Sequence, residues 1–375
     1  MKQDIIHVQL STFDNGSEVR EHHLMLSVTP QGALLSYAEQ LDALCKQFDD
    51  ECNKLAAKTV LKRYFLSDAA NQASALKKYE QNNPKYALSV VEQAPANGTK
   101  VALWCILMTG VETKRNTSGL FEVKYGGYRH LYSASNYSLT ESSEQQTREL
   151  FEQYISQLSQ EGCTLADNCI RTWFFVNDID NNYAGVVKAR NDVFKTQNLT
   201  ENTHFIASTG IGGRQANPRV LSQLDTYAVA GIKQEQIKYL YAANNMNRTS
   251  EYGVSFERAT AVDYSDRRQV FVSGTASINN KGEIMHIGDI RNQCLCMWNN
   301  VEALLDEAEC EWSDVSEIVC YLRDFADFIV VDSMFKEKFN SVGMDKKAIP
   351  YLLVHAPVCR PGWLIEMECM ATKRL

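Results

Sequence analysis

One order of elements recurs three times along this chain, and it restricts the fold more than any single motif does. Each window runs strand, long amphipathic helix, strand ending in Asp, second helix, two further strands. In the first window, His23–Val28 reads as a strand and Ser36-Tyr37-Ala38-Glu39 as a capping box. The helix that follows puts Tyr37, Leu41, Leu44, Cys45, Phe48, Cys52 and Leu55 on one stripe. Val60–Asp68 is the Asp-terminated strand, followed by a helix around Ala73–Glu80 and strands at Tyr86–Gln93 and Lys100–Thr109. The second window repeats this with His130–Ala134, a capping box from Ser143, a stripe through Leu150, Phe151, Tyr154, Ile155 and Leu158, and the strand Ile170–Asp178. A helix near Gly185–Lys195 and strands His204–Gly210 and Leu221–Ala230 complete it. The third has Val270–Ala276, a helix over Asp289–Glu309, the strand Ile318–Asp324, a helix over Val330–Phe339 and two final strands. From helix cap to strand-end Asp the spacing is 32 residues for Ser36 to Asp68, and 35 for both Ser143 to Asp178 and Asp289 to Asp324. The windows divide the chain into 1–125, 126–230 and 268–375, and 231–267 is left over as an insertion expected to line a pocket.

A chain of 375 residues with 45% hydrophobic and 22% charged residues has ample material for such a core. The net charge of -8 argues against a general nucleic-acid-binding surface and leaves room for a local basic pocket. No run of eighteen apolar residues predicts a membrane span, and no signal peptide is visible at the start. Eleven cysteines without a CxxC pair fit neither a disulfide framework nor a zinc site, so a reducing cytoplasm is expected, with most thiols in the core. No His/Cys/Asp cluster suggests a metal, and no cofactor is expected.

The richest chemistry lies in Val354–Glu368, which places Cys359, Arg360, Glu366 and Glu368 close together. Residues after Pro361-Gly362 read as a strand, on which Glu366 and Glu368 share a face. A carboxyl among apolar neighbours either pairs with a cation or stays protonated near neutral pH, and Arg360 is one candidate partner. An edge-strand Glu in a surface ion pair is the plainer alternative. His355 is four residues from Cys359, about 13 Å along a strand, so no Cys-His catalyst is expected.

Val272–Ile278, Tyr321-Leu322-Arg323-Asp324 and Ile365-Glu366-Met367-Glu368 resemble the Rid superfamily, also called YjgF or endoribonuclease L-PSP. The resemblance implies three tandem βαβαββ units of the α/β (α+β), chorismate mutase-like type. Single units of that family trimerise with ligand clefts between subunits, so this chain is expected to form an intramolecular pseudo-trimer and to be a monomer by that closure. The family's imine and enamine deaminases hold a substrate carboxylate with an arginine just after a Pro at the penultimate strand. Here the matching positions are Pro350-Tyr351, Pro84-Lys85 and Thr203-His204, without arginine.

A closer likeness is to the chorismatase branch. It rests on Trp173, Thr209-Gly210-Ile211-Gly212, Asn217-Pro218-Arg219, Tyr252-Gly253, Ser255–Ala259, Ser273–Ala276, Cys359-Arg360 and Glu366, in that order. The stretch between Asn217 and Tyr252 departs from that branch. The likeness implies that Glu366 is a proton donor and that Arg258, Arg360, Cys359, Ser273, Thr275, Tyr252 and Arg248 contact a small anionic metabolite, with Arg219 a further candidate. Thr209–Gly213 could form an anion nest. Three readings follow: a chorismatase-like hydrolase or lyase releasing pyruvate from an enolpyruvyl ether, a Rid-type enamine/imine deaminase, and a non-catalytic metabolite-binding protein.

Overall fold

The computed structural model describes residues 5–80, 84–340 and 348–375, and the Tyr252 side chain lies outside that description. The first unit contains β1 (Ile6–Phe13), β2 (Glu21–Val28), α1 (Tyr37–Leu55), β3 (Lys58–Leu66), α2 (Ala69–Leu76), β4 (Ala87–Glu92), β5 (Ala94–Pro95) and β6 (Val101–Met108). Next come β7 (Glu112–Arg115), β8 (Phe121–Tyr125), β9 (Tyr128–Tyr137), α3 (Ser143–Gln160), α4 (Leu165–Asn168), β10 (Cys169–Val176), α5 (Ile179–Thr196), β11 (Ala207–Gly212) and β12 (Ser222–Ala230). The third unit has β13 (Ile237–Leu240), β14 (Ala259–Asp263), β15 (Arg267–Ala276), α6 (Ile290–Glu307), β16 (Val315–Leu322), α7 (Phe328–Phe339), β17 (Tyr351–His355) and β18 (Ile365–Arg374).

Three sheets share one topology. Their orders are β1-β2-β6-β3-β4, β7-β8-β9-β12-β10-β11 read from its other edge, and β13-β14-β15-β18-β16-β17-β5. In each, the strand ending before Asp runs parallel to the next strand, and the remaining pairs are antiparallel. The register matches as well. Ala102 pairs with Phe65 and Ser27, Gln223 with Phe175 and Tyr137, and Glu366 with Tyr321 and Ala276. Phe65, Phe175 and Tyr321 each stand three residues before the repeated Asp, so Ala102, Gln223 and Glu366 are equivalent positions.

Each unit also carries a strand outside the expected βαβαββ pattern: β1, β8 or β14. In β1, Ile6 and Val8 are half-buried and His7 between them is exposed, as on an edge strand covered on one face. Residues 112–125 were expected with the first unit, but β7 and β8 hydrogen-bond to the second sheet through β9. The leftover segment 231–267 likewise supplies β13 and β14 to the third sheet.

Capping explains the recurring Ser and Asp. Ser36 and Glu39 form the capping box of α1. For α3 the cap is Ser142, one residue before the expected Ser143, and its side chain accepts from the Gln145 N–H. Asp289 caps α6, Asp68 caps α2, and Asp324 accepts from the Ala326 N–H in the turn leading to α7. Asp178 stands before α5 with a left-handed backbone, φ 46°, and makes no side-chain cap bond.

Side chains alternate across the sheets. On β2 and β6, Leu24, Leu26, Leu103 and Cys105 pack under α1, while Met25, Ala102 and Trp104 turn inward. Trp173, Phe175, Tyr227, Phe271 and Tyr321 from the other sheets join that inner core. The chain closes on itself through the bridges Glu92–Arg214 and Ala207–Glu257 and the β17–β5 pairing. Among the described residues no helix is long and apolar enough to cross a membrane.

Candidate active site

A cavity of about 560 Å³ opens between the second and third units. α5 and β11 supply Tyr183, Lys188, Arg190, Lys195, Ser208 and Gly210, and the third unit supplies Arg258, Gly274, Cys359, Arg360, Trp363 and Glu366. Glu366 comes from the start of β18 and is 5% exposed. Its carboxyl is pushed up to about 8, first by burial and then by the negative charge of Glu368, with Arg258 and Arg171 opposing. A Cβ at Gly274 would sit 2.1 Å from Glu366 Oε1, so this approach requires glycine. A break in the β15–β18 register between Val272 and Thr275 puts Gly274 there.

Glu368 is two residues along the same strand but differently placed. It accepts from Arg171 Nη2 at 2.8 Å and from Trp173 Nε1 at 2.9 Å. Arg171 Nη2 also lies 2.5 Å from Thr209 Oγ1, which accepts from the Gly274 N–H. The two acids therefore divide, one fully paired and one facing the cavity, although the strand alternation treats them alike.

Arg258 and Arg360 both line the cavity with Glu366. Arg360 is not the ion-pair partner considered for Glu366. Its guanidinium lies over the Trp363 ring at 4.8 Å, and its Nη1 is 3.4 Å from the Gly282 carbonyl. Arg258 is the lining arginine whose charge acts on Glu366, and it is positioned by bonds of 3.2 and 3.0 Å to the Asn247 carbonyl. The Cys359 thiol is pushed up to about 12, mainly by burial and next by Glu366, so it remains a thiol and offers polarisable surface instead of a nucleophile. His355 stacks on Phe325 at 4.1 Å and lines a different opening of about 490 Å³.

Several expected contacts are placed elsewhere. Ser273 Oγ is buried, donating to the Glu257 carbonyl and accepting from the Ser208 N–H, so it joins the two units and does not line the cavity. Thr275 is turned inward and donates to the Ser273 carbonyl. Arg248 stacks over Tyr241 at 4.8 Å and is not among the lining residues. Exposed Arg219 reaches the Leu139 carbonyl near α3. The Thr209–Gly213 turn does not form an anion nest: the Gly212 and Gly213 N–H groups donate to Pro357 and Val176 carbonyls.

The helix expected near Gly185–Lys195 is α5, but none of its residues was among the expected site residues. Ile179, Val186, Ala189, Val193 and Phe194 form its buried stripe, and Arg190 lies on that stripe, 1% exposed. A cation interrupting an apolar helical stripe was the available signal. Among the described residues no three His, Cys, Asp or Glu side chains gather in a metal-binding group.

A family model described as endoribonuclease L-PSP matches residues 257–373. A RutC family protein of Pyrococcus abyssi is 32% identical over 105 residues, covering 28% of this chain and 78% of that one. The chain belongs to the Rid (YjgF, endoribonuclease L-PSP) superfamily. Another Rid relative, the 3-aminoacrylate deaminase RutC of Acinetobacter baylyi, is 26% identical over 102 residues, 27% of this chain and 77% of that protein. A solved chorismatase superposes with a TM-score of 0.62 at 17% identity, covering 84% of this chain and 92% of that one. At that identity the likeness is one of fold, and it extends well beyond a single unit of this Rid protein.

Proposed function

We propose that this Rid-superfamily protein is a cofactor-independent hydrolase or lyase that cleaves the enolpyruvyl ether of chorismate or a related small carboxylated ring. The supporting observation is Glu366, a carboxyl with its pKa raised to about 8 in a cavity lined by Arg190, Arg258 and Arg360. A neutral acid at pH 7 can donate a proton to carbon, and guanidinium groups suit the substrate carboxylates. Glu366 protonates the methylene carbon of the enol ether. The resulting oxocarbenium is captured by water, which gives up a proton to solvent, and the hemiketal collapses to pyruvate with the ether oxygen left on the ring as a hydroxyl. Glu366 is reprotonated from solvent. The ring lies against Cys359 and Trp363, which supply apolar surface. The working form is a monomer, because the three units bury against one another the surfaces that separate chains would otherwise bury.

The test is pyruvate release from chorismate by the purified full chain, read through lactate dehydrogenase. Release that depends on Glu366 supports the reading, and no release at any pH between 5 and 8 removes it. The second reading, enamine or imine deamination, is favoured by the relatives that carry deaminase names. Against it, Tyr351, which follows Pro350, is buried in the third sheet and offers no cation. Ammonia release from 3-aminoacrylate without pyruvate release from chorismate would favour it.

A further inference from the structure

Arg190 belongs to α5 of the second unit, whereas Glu366, Arg258 and Arg360 come from the third. Its side chain is 1% exposed, and its guanidinium lies 5.8 Å from the Phe256 ring centroid. A buried cation without a partner is costly, and other fully buried arginines here avoid that cost. Arg63 pairs with Asp225, Arg171 with Glu368, and Arg267 with Glu21 and Asp266. Arg190 has no ion pair among the described residues, and its Nε and Nη2 have no hydrogen-bond partner there. Those two nitrogens carry the parallel N–H groups on one side of a guanidinium, the pair that grips a carboxylate through both oxygens. The side chain lines the same cavity as Glu366.

We propose that Arg190 is a binding residue for a second acidic group of the ligand, separate from the group held by Arg258 and Arg360. The ligand class is then a ring bearing two carboxylates at different positions. The proposal rests on the functional reading for the identity of the cavity, but it is a statement about binding and does not require turnover. Lys195 at the same cavity adds positive charge, whereas Lys188 is paired with Glu144 and Asp192. This locally basic cavity in a chain of net charge -8 favours a dianion over a monoanion.

The experiment is calorimetric titration of the full chain with isophthalate and with benzoate, for wild type, Arg190→Gln and Arg190→Lys. Wild type should bind isophthalate at least tenfold tighter than benzoate. Arg190→Gln should lose that preference while keeping its affinity for benzoate within about threefold, because Arg258 and Arg360 remain. Arg190→Lys keeps the charge and loses the two-toothed grip, so its preference should fall between the two. The ligand-free melting temperature of Arg190→Gln should equal or exceed that of wild type, since an unpaired buried charge is gone. Failure of wild type to discriminate the two probes, or a wild-type preference surviving in a folded variant, overturns the proposal. A lowered melting temperature with an unchanged preference assigns Arg190 a structural role and also overturns it. Isophthalate discrimination without pyruvate release from chorismate would leave this subsite standing and remove the catalytic reading.

Discussion

The cleft between the second and third units and the cleft between the first and second are built to the same register, yet only one carries an acid at the key position. Glu366 in the first corresponds to Gln223 in the second. Both strand pairs break register at the same place, so Ser135 occupies the position of Gly274. Ser135 Oγ accepts from the Val90 N–H, and Gln223 Oε1 accepts from Gln215 Nε2 at 2.6 Å. On the helix side, where α5 brings an unpaired Arg190, the turn after α2 brings Glu80, bound by Lys62 and Tyr64 at 2.6 Å each. The second cleft holds about 280 Å³, half the space of the first. Beside each position the inward acid is kept and paired across units, Glu368 to Arg171 and Asp225 to Arg63. Closure of the ring thus depends on the paired acids, which repeat, and the proposed chemistry depends on the unpaired acid and arginine, which do not.

Replacing the side chain at each key position in turn separates the two clefts most strongly. Glu366→Gln should lower pyruvate release about a hundred- to ten-thousandfold, the usual worth of a general acid, while Gln223→Ala should leave it within about twofold. Equal losses in both variants would show that the clefts are not functionally distinct.

Glu368→Gln should act on stability first. It removes the charge opposite buried Arg171, and stranding such a charge costs about 3–5 kcal/mol in unfolding free energy. Asp225→Asn, facing Arg63, should behave alike. Denaturant titration that finds either variant as stable as wild type contradicts the assignment of these pairs to closure.

Removing Glu366 should have a smaller stability effect of opposite sign. Its folded pKa of about 8 lies above its ordinary 4.5, so its contribution to stability is full below about pH 4.5 and is lost as pH rises to about 8. At pH 7 the buried carboxyl costs about 3 kcal/mol relative to pH 4.5. Glu366→Gln should therefore gain on wild type between pH 5 and 8, and parallel melting curves across that range would refute the shift.

Gly274→Ala should have the smallest effect. The added Cβ would collide with the Glu366 carboxyl, and turnover should fall about tenfold, whereas Ser135→Ala should leave it unchanged. A fully active Gly274→Ala would show that Glu366 need not sit where it does.

Much of this organisation was readable in the sequence, because helix caps and strand-end Asp residues sit at fixed places in every unit. Glu366 was readable from its strand and from the family likeness. The partner of Glu366 was not, since Arg258 is remote in sequence and Arg360 is near. Ser273 and Thr275 were misplaced because the register break at β15 turns both away from the cavity. Arg190 was missed because an arginine in a helix reads as surface unless its neighbours on the stripe are weighed.

The proposed proton transfer requires Glu366 to be neutral at physiological pH. The most direct measurement is an infrared pH titration of the full chain, taking wild type minus Glu366→Gln to isolate one carboxyl. A protonated carboxyl band should be present at pH 7 and disappear with a midpoint of about 8. A midpoint near 4.5, the ordinary value for Glu, would contradict it.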